Sequence, residues 1–207
     1  MKSGKFIVVE GLEGAGKSSV IATIVEFLKQ HGHSVTQTRE PGGTPMAEAL
    51  RDCVKQQWQE AVTIETELML MYAARSQLIA NVITPALDSG DWVVGDRHDM
   101  SSLAYQGGGR GIDRKLLDVI RDVTLKGFTP DLTLYLDVDP KVGLERARGR
   151  GELDRIELEG LDFFERVRTA YQQEALNNER VVTINAMQSM SDVHEQVTQS
   201  LQQYFSS

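Results

Sequence analysis

Short apolar runs alternate along the chain with longer segments in which apolar residues recur at helical spacing. Five of the short runs predict β-strands, at Phe6 to Glu10, Ser34 to Thr38, Trp92 to Gly95, Leu132 to Val138 and Val181 to Ile184. Several of these runs are almost continuously apolar, as is typical of central parallel strands covered on both faces. The alternation predicts an α/β fold, a doubly wound parallel five-stranded sheet flanked by helices.

Helical periodicity predicts the segments that connect these strands. Lys17 to Gln30 carries an apolar stripe that ends near Gly32, and Ile64 to Leu87 is long enough to span a domain. Further helices are predicted at Pro45 to Gln57, Arg114 to Leu125, Lys141 to Ala147, Leu161 to Leu176 and Asp192 to Phe205. No internal repeat or low-complexity linker interrupts the sequence, so residues 1–207 are interpreted as one domain.

Composition narrows the class of protein. Of the 207 residues 41% are hydrophobic and 25% charged, so the chain can bury a core and is not a disordered tract. The lone Cys53 excludes an intramolecular disulfide and fits a reducing cytosol. A formal charge of −8 disfavours nucleic-acid binding. No apolar run reaches the roughly 18 residues that cross a bilayer, and residues 1–11 are interpreted as a strand rather than a signal peptide, so we expect a cytoplasmic protein without membrane contact.

A phosphate-binding motif follows the first predicted strand. It is the P-loop Gly11-Leu12-Glu13-Gly14-Ala15-Gly16-Lys17-Ser18, and the first long helix begins within it. Backbone N–H groups at the glycines would wrap a phosphate, Lys17 would reach the outer phosphates of ATP and Ser18 would ligate Mg²⁺. A glycine-rich turn alone would explain the glycines but not Lys17 and Ser18. The motif predicts the P-loop NTPase type of sheet.

The P-loop leaves several classes open: a GTPase, an ATPase, a small-molecule kinase or an ATP-dependent binding module. None of the asparagines begins an Asn-Lys-x-Asp segment, which disfavours a GTPase. Phosphoryl transfer to an anionic acceptor needs protein cations that bind both the donor and the acceptor. The arginines at the carboxyl edge of the sheet therefore help to distinguish these classes.

Candidate acceptor residues lie in four places along the chain. Asp96 and Arg97 end the third strand, where Asp96 would bind Mg²⁺ or orient the acceptor and Arg97 would grip a phosphate; a surface ion pair is the alternative. The turn from Thr38 to Thr44 exposes backbone at the same edge. Arg75 lies in mid-helix, one turn after Met71, where an arginine is usually solvated. Hydroxyls, an amide and an aromatic ring that could read a base follow at Ser101, Ser102, Tyr105 and Gln106.

Five motifs occur in one order along nearly the whole chain. They are the P-loop, Arg-Glu-Pro-Gly-Gly-Thr at 39–44, Tyr-Ala-Ala-Arg at 72–75, Asp-Arg-His with Ser-Ser-Leu-Ala-Tyr-Gln at 96–106, and Gly-Glu-Leu-Asp-Arg at 151–155. In this combination the chain closely resembles the bacterial thymidylate kinase family. The resemblance implies an enzyme that uses ATP and Mg²⁺ to phosphorylate dTMP to dTDP in dTTP biosynthesis, as a cytosolic homodimer. The alternatives are a P-loop kinase of another nucleoside monophosphate and an ATP-binding sensor module. A sensor would need no second phosphate-binding site and no residues that read a base.

The resemblance also implies roles for individual residues. Arg97 would bind the acceptor phosphate, and Asp96 would join the Mg²⁺ and acceptor network. Arg75 and Ser102 would hydrogen-bond the thymine edge, Tyr105 would crowd a 2′-hydroxyl, and Glu13 would approach the 3′-hydroxyl. The remaining residues expected to contact the acceptor are Arg39, Pro41, Met71, Ser101 and Gln106. Met71 departs from the family, which commonly has a stacking Phe there; a thioether packs against a base but loses the stacking geometry.

A basic cluster predicts a lid over about residues 146–156. Its members are Lys141, Arg146, Arg148, Arg150 and Arg155, around Gly149 and Gly151. A solvated basic helix end is the alternative. The resemblance implies that this segment folds over ATP. Since the P-loop contains Glu13 and no arginine, Arg150 is expected to stabilise the transferring phosphoryl group, supported by Arg146, Arg148 and Arg155.

Overall fold

A parallel sheet of five strands organises the chain. The computed structural model describes residues 4–149 and 154–206. The strands are β1 (Phe6–Gly11), β2 (Val35–Arg39), β3 (Trp92–Asp96), β4 (Leu132–Asp137) and β5 (Val181–Asn185). They lie in the order β2-β3-β1-β4-β5, and every neighbouring pair is parallel. The predicted fold class is confirmed, whereas the one-domain interpretation stays a prediction.

Helices connect the strands and cover both faces of the sheet. They are α1 (Lys17–Gln30), α2 (Pro45–Lys55), α3 (Ile64–Leu78), α4 (Thr84–Asp88), α5 (Asp99–Ser102), α6 (Arg114–Leu125), α7 (Pro140–Arg148), α8 (Leu161–Leu176) and α9 (Met190–Ser206), with π-helical segments π1 (Ile79–Ile83) and π2 (Leu103–Gly109). No helix of the described residues is long and apolar enough to span a bilayer.

The structure differs from the predicted helices at two places. The segment predicted as one helix from Ile64 to Leu87 is α3, π1 and α4 in succession. Pro85 in the first turn of α4 explains the break, because proline lacks an N–H and its ring crowds the carbonyl four residues earlier. The helical segments α5 and π2 were not predicted. Glycines let π2 approach α8, since a Cβ on Gly109 would lie 2.4 Å from the Phe163 ring.

The central strand β1 is buried on both faces. Ile7 and Val9 belong to one apolar cluster with residues of α1, α8 and α9, whereas Phe6 and Val8 belong to another with Leu78 and residues of π1. Alternate side chains of a strand point to opposite faces, which accounts for this division. The sheet register aligns Asp96 with Val9 on one side and with Arg39 on the other. The ends of β1, β2 and β3 therefore meet at one edge, where the P-loop begins.

Candidate active site

The P-loop joins β1 to α1 with an open helix end. Gly11, Gly14 and Gly16 adopt φ values of 141°, 75° and 94°, a region that side chains rarely enter. A Cβ on Gly14 would lie 2.1 Å from the carbonyl oxygen of Gly143, so the loop also needs glycine for close packing. None of the described side chains caps the N-terminus of α1. The first N–H groups of α1 and the positive end of the helix dipole are therefore disposed to bind an anion.

Lys17 is folded back over this loop. Its Nζ donates hydrogen bonds to the carbonyl oxygens of Gly11 (3.2 Å) and Leu12 (3.0 Å) and lies 3.7 Å from the Glu13 carboxylate. Burial, and secondarily Arg97, lowers the pKa of Lys17 from 10.5. A phosphate at the loop would replace these carbonyl contacts with an anionic partner and favour the charged amine.

Arg97 occupies the centre of the site with a strained backbone. Its φ of 71° is in the left-handed region, a conformation that other contacts must stabilise in a residue with a Cβ. The guanidinium donates to four side-chain oxygens, those of Glu13 (2.6 Å), Ser101 (3.0 Å), Tyr105 (3.1 Å) and Tyr171 (3.1 Å). Burial opposes the charged form, yet the groups around it, led by Tyr105 and Glu13, raise the pKa of Arg97 well above its ordinary value. The side chain is thus a fixed cation beside the P-loop.

A buried carboxylate, Glu10, binds two of the hydroxyl groups that accept hydrogen bonds from Arg97. It accepts hydrogen bonds from the Ser101 hydroxyl (2.6 Å), the Tyr171 hydroxyl (2.9 Å) and the backbone N–H of His98 (2.8 Å). Burial raises the pKa of Glu10. The sequence analysis did not predict Glu10 or Tyr171 as part of the site. A carboxylate ending the apolar run of β1 is the one local signal that pointed to Glu10.

Arg75 is buried, not solvated, and is held by an ion pair. It is 1% exposed, and its Nε donates to Glu40 at 2.6 Å. Its Nη2 donates to the carbonyl oxygen of His98 and the hydroxyl of Ser102, both at 3.0 Å. Nη1 has no hydrogen-bond partner among the described residues, although the Asp99 carboxylate lies 3.6 Å away. Arg75 and Ser102 are thus in direct contact, and their role in reading a base stays a prediction.

Glu40 holds Arg75 and His98 at the same time. The second Glu40 oxygen lies 2.7 Å from Nδ1 of His98. Burial alone would raise the pKa of Glu40, but Arg75 and His98 together hold it below its ordinary value. The carboxylate is therefore the acceptor and Nδ1 carries the proton. Neither Glu40 nor His98 was predicted as a site residue.

A partly open cavity of about 160 Å³, the acceptor cavity, is lined by Arg97. The predicted residues that line it are Glu13, Lys17, Arg39, Pro41, Met71, Asp96, Arg97, Ser101, Tyr105 and Gln106. Lining residues that were not predicted are Glu40, Arg51, Val54, Lys55, Asp154, Ile156, Glu157 and Phe164. Arg75 and Ser102 lie behind this wall, where both are almost fully buried. Arg75 and Ser102, the two residues expected to read the base, are therefore not accessible from the cavity in this conformation.

Two predicted residues at the cavity have polar groups engaged elsewhere. Gln106 donates to Glu67 at 2.9 Å, while no described group is a partner of its buried Oε1. Arg39 forms an exposed pair with Glu48 at 3.1 Å. Gln106 therefore offers an acceptor to a ligand, and Arg39 offers a cation that is loosely held.

Asp96 and Ser18 line one cleft beside the P-loop, together with Thr38. The Oδ1 atom of Asp96 is buried and has no hydrogen-bond partner in residues 4–149 and 154–206, so this carboxylate has an unused ligand position. Among the described residues no cluster of three or more His, Cys, Asp or Glu side chains forms a metal site. Mg²⁺ keeps several waters and binds through one or two protein groups plus phosphates, so this sparse donor set fits it.

The predicted lid arginines are only partly described. Nη1 of Arg146 lies 3.4 Å from the Gly14 carbonyl oxygen, over the P-loop, and Arg148 is exposed at the end of α7. Arg150, the expected catalytic cation, lies outside the described residues.

Arg155 was expected to support Arg150, but its guanidinium is bound elsewhere. It donates to the buried Glu67 at 2.7 Å and to the Val54 carbonyl oxygen at 3.0 Å. The neighbouring Asp154 pairs with Lys55 at 2.7 Å. These contacts fasten the downstream end of the predicted lid to α2 and α3, because Lys55 ends α2 and Glu67 lies on α3.

Two cation sites thus meet at one carboxylate. Glu13 contacts Lys17 of the P-loop and Arg97 of the acceptor cavity. A P-loop that opens on a second, cation-lined cavity defines a P-loop kinase acting on a small anionic acceptor.

Comparisons with known proteins identify the family. The model of the family described as thymidylate kinase matches residues 9–197. A thymidylate kinase of Alteromonas mediterranea is 65% identical over 98% of this chain and 91% of its own length. Those of Colwellia psychrerythraea and Idiomarina loihiensis are each 58% identical, over 97% and 98% of this chain and 95% and 98% of their own lengths. The chain belongs to the thymidylate kinase family.

Proposed function

We propose that the chain transfers the γ-phosphoryl group of ATP to dTMP, giving dTDP and ADP. The observation that carries the proposal is the placement of Glu13 between Lys17 (3.7 Å) and Arg97 (2.6 Å), which puts the donor and acceptor cations side by side. Membership of the thymidylate kinase family supports dTMP as the acceptor. An attacking dTMP oxygen is already ionised, so the protein has only to align the two substrates and neutralise charge.

On the donor side, the P-loop would hold the ATP phosphates. Backbone N–H groups from Gly11 to Ser18 would surround them, and Lys17 would exchange two carbonyl contacts for the outer phosphates. Ser18 and Asp96 would hold Mg²⁺, which supplies charge neutralisation between the phosphates when bound. We assign stabilisation of the transferring group to Arg150, with Arg146 and Arg148 beside the triphosphate.

On the acceptor side, a dTMP phosphate would displace Glu13 from Arg97. The guanidinium would then bind the phosphate, and the released Glu13 carboxylate would approach the sugar 3′-hydroxyl. An oxygen of this phosphate attacks the γ-phosphorus, a new P–O bond forms, and the bond to the β-phosphate oxygen breaks as ADP leaves.

Base and sugar would be read by the residues around Tyr105. The thymine edge would hydrogen-bond to the unsatisfied Nη1 of Arg75 and to Ser102. This contact would require Met71, which lines the cavity wall, to shift. Tyr105 would exclude a 2′-hydroxyl. The remaining proposed acceptor contacts are Arg39, Pro41, Ser101 and Gln106.

The proposal is tested by a coupled assay with ATP, Mg²⁺ and dTMP, dUMP, UMP, dCMP, AMP or GMP as acceptor. We expect the highest kcat/KM with dTMP and a severe loss of turnover in Lys17→Ala, with Lys29→Ala, an exposed lysine at the end of the same helix, as the control. Higher efficiency with another monophosphate would replace dTMP as the acceptor. ATP binding without transfer to any acceptor would favour a sensor module.

We also propose a homodimer in a reducing cytoplasm, which the lone Cys53 suits. Leu116, Val119 and Val123 form an exposed apolar stripe on α6, with Val123 71% exposed. Such a stripe suits a two-fold interface between copies. Sedimentation should give twice the chain mass of 23.0 kDa for the parent and 23.0 kDa for the double variant Val119→Glu, Val123→Glu. A monomeric parent would contradict the proposal.

A further inference from the structure

A second, partly open cavity lies behind the acceptor residues. It has a volume of about 340 Å³ and is bounded by α5, the end of α6 and the chain from Phe128 to Pro130. We call it the rear cavity, defined by His98, Leu103, Leu125, Phe128, Thr133 and Arg180. No described residue lines both this cavity and the acceptor cavity. Its volume lies within the ~300–1,000 Å³ of small-molecule sites.

His98, one of the residues that line the rear cavity, has an unused hydrogen-bond acceptor in its side chain. Its side chain is 1% exposed, and Nδ1 donates to Glu40. In the neutral ring the other nitrogen, Nε2, is then a lone-pair acceptor, and this atom is buried without a partner in the described part of the chain. An unsatisfied buried acceptor destabilises the unliganded site, so a ligand N–H or O–H group there would be favourable.

The apolar part of the rear cavity suits a flat ring. Leu103 and Leu125 are 7% and 6% exposed, and the Phe128 ring lies edge-on to His98 with centroids 6.0 Å apart. Apolar surfaces with an aromatic edge favour a planar aromatic occupant.

The outer end of the rear cavity carries a cation with no carboxylate partner among the described ion pairs. Arg180 donates to the hydroxyl of Thr129 at 3.0 Å and is exposed. The carboxylates that line the cavity are already bound: Glu10 by Ser101 and Tyr171, Asp99 by Tyr72 and Arg121, and Glu174 by Arg114. An anionic group on the ligand would therefore face Arg180 without displacing an internal pair.

We propose that the rear cavity binds a small aromatic anion, with an O–H or N–H donor directed to His98 and its anionic group at Arg180. We further propose that the occupant weakens dTMP binding through His98, Glu40 and Arg75, a part that rests on the proposed function. Glu40 is shared, at 2.6 Å from Nε of Arg75 and 2.7 Å from Nδ1 of His98. A hydrogen bond donated to Nε2 makes Nδ1–H a stronger donor, which draws the carboxylate from Arg75.

The binding test uses 4-hydroxybenzoate as the probe, which has both groups. 4-Methoxybenzoate lacks the donor and phenol lacks the anion. For a probe of this size a Kd of about 1 mM is expected, so calorimetry or saturation NMR up to tens of millimolar suffices. Thr129→Trp fills the mouth of the cavity, and Thr169→Trp is the matched control on the exposed face of α8.

We expect the parent and Thr169→Trp to bind 4-hydroxybenzoate at least tenfold more tightly than the other two probes, and Thr129→Trp to lose this binding. No binding to the parent, equal binding of the three probes, or unchanged binding in Thr129→Trp would overturn the site. Binding is measured without substrates, so this result stands whether or not the chain phosphorylates dTMP.

The coupling is tested by kinetics with saturating probe. The KM for dTMP should rise at least threefold in the parent and in Thr169→Trp, while the KM for ATP stays unchanged and Thr129→Trp does not respond. Probe binding without a change in the KM for dTMP would overturn the coupling and leave the site. A response that persists in Thr129→Trp would locate the probe in the acceptor cavity and overturn both.

Discussion

Replacing Glu40 with Gln should lower the free energy of unfolding by about 3 kcal/mol. The Arg75–Glu40 pair is 2.6 Å long, and its side chains are 0% and 3% exposed. Removing one charge of such a buried pair costs about 3–5 kcal/mol, because the other charge is left uncompensated. The lower end of that range applies here, since Arg75 keeps its hydrogen bonds to His98 and Ser102 and has Asp99 at 3.6 Å.

Urea unfolding at pH 7 measures this loss, and the melting temperature should fall by roughly 6–12 °C for a chain of this size. The matched control is Glu174→Gln, whose partner Arg114 is 52% exposed; an exposed pair contributes about 0–1 kcal/mol. Because the native pKa of Glu40 is below its ordinary value, the pair stabilises the fold above the unfolded-state pKa. The difference between parent and Glu40→Gln should therefore shrink as the pH falls through the native pKa.

The same variant tests whether Glu40 positions Arg75 for the base. The KM for dTMP should rise about tenfold, which corresponds to losing one charged hydrogen bond, and the KM for ATP should stay within twofold. A stability loss no larger than that of Glu174→Gln, or equal changes in both KM values, would refute the reasoning.

Four other predictions concern single side chains. ATP binding should be accompanied by proton uptake at pH values between the lowered pKa of Lys17 and 10.5, because the phosphates favour the charged amine. Calorimetry in buffers of different ionisation enthalpy measures this uptake, and Lys17→Ala should lose it. Tyr105→Ala should bring the kcat/KM values for dUMP and UMP closer together, so that their ratio approaches one. Met71→Phe should change the free energy of dTMP binding by about 0.5–1.5 kcal/mol. Arg150→Ala should lower kcat more than it weakens dTMP binding, and Arg155→Ala should affect kcat less, because its guanidinium is bound to Glu67.

Three results would contradict these predictions. Proton uptake that persists in Lys17→Ala would assign it to another group. An unchanged dUMP to UMP ratio in Tyr105→Ala would remove the sugar-reading role from this residue. An equal loss of kcat in Arg150→Ala and Arg155→Ala would mean that the contact with Glu67 is broken during transfer.

The strands and the P-loop were predictable because their signals are local. An apolar run, a glycine spacing or a helical stripe is complete within a short stretch of sequence. The five strands begin and end within one residue of their predicted bounds. The π-helical segments were not predictable in this way, because the apolar pattern of π1 is that of an ordinary α-helix and π2 is rich in glycine.

The network behind the acceptor cavity was not predictable, because its members come from distant parts of the chain. Arg75 is bound by residues 35, 23 and 27 positions away, so its burial has no signature in α3 itself. The contact between Glu10 and Tyr171 joins residues 161 positions apart. A mid-helix arginine is usually solvated, and here tertiary partners reverse that expectation.

Transfer of label from ATP carrying a radioactive γ-phosphate tests the central claim most directly. With dTMP and Mg²⁺ present, the account predicts that the label appears in dTDP with the parent protein and that Lys17→Ala transfers almost none. Label released as inorganic phosphate, or retained in ATP while dTMP stays unmodified, would contradict the assignment of this chain as a kinase of dTMP.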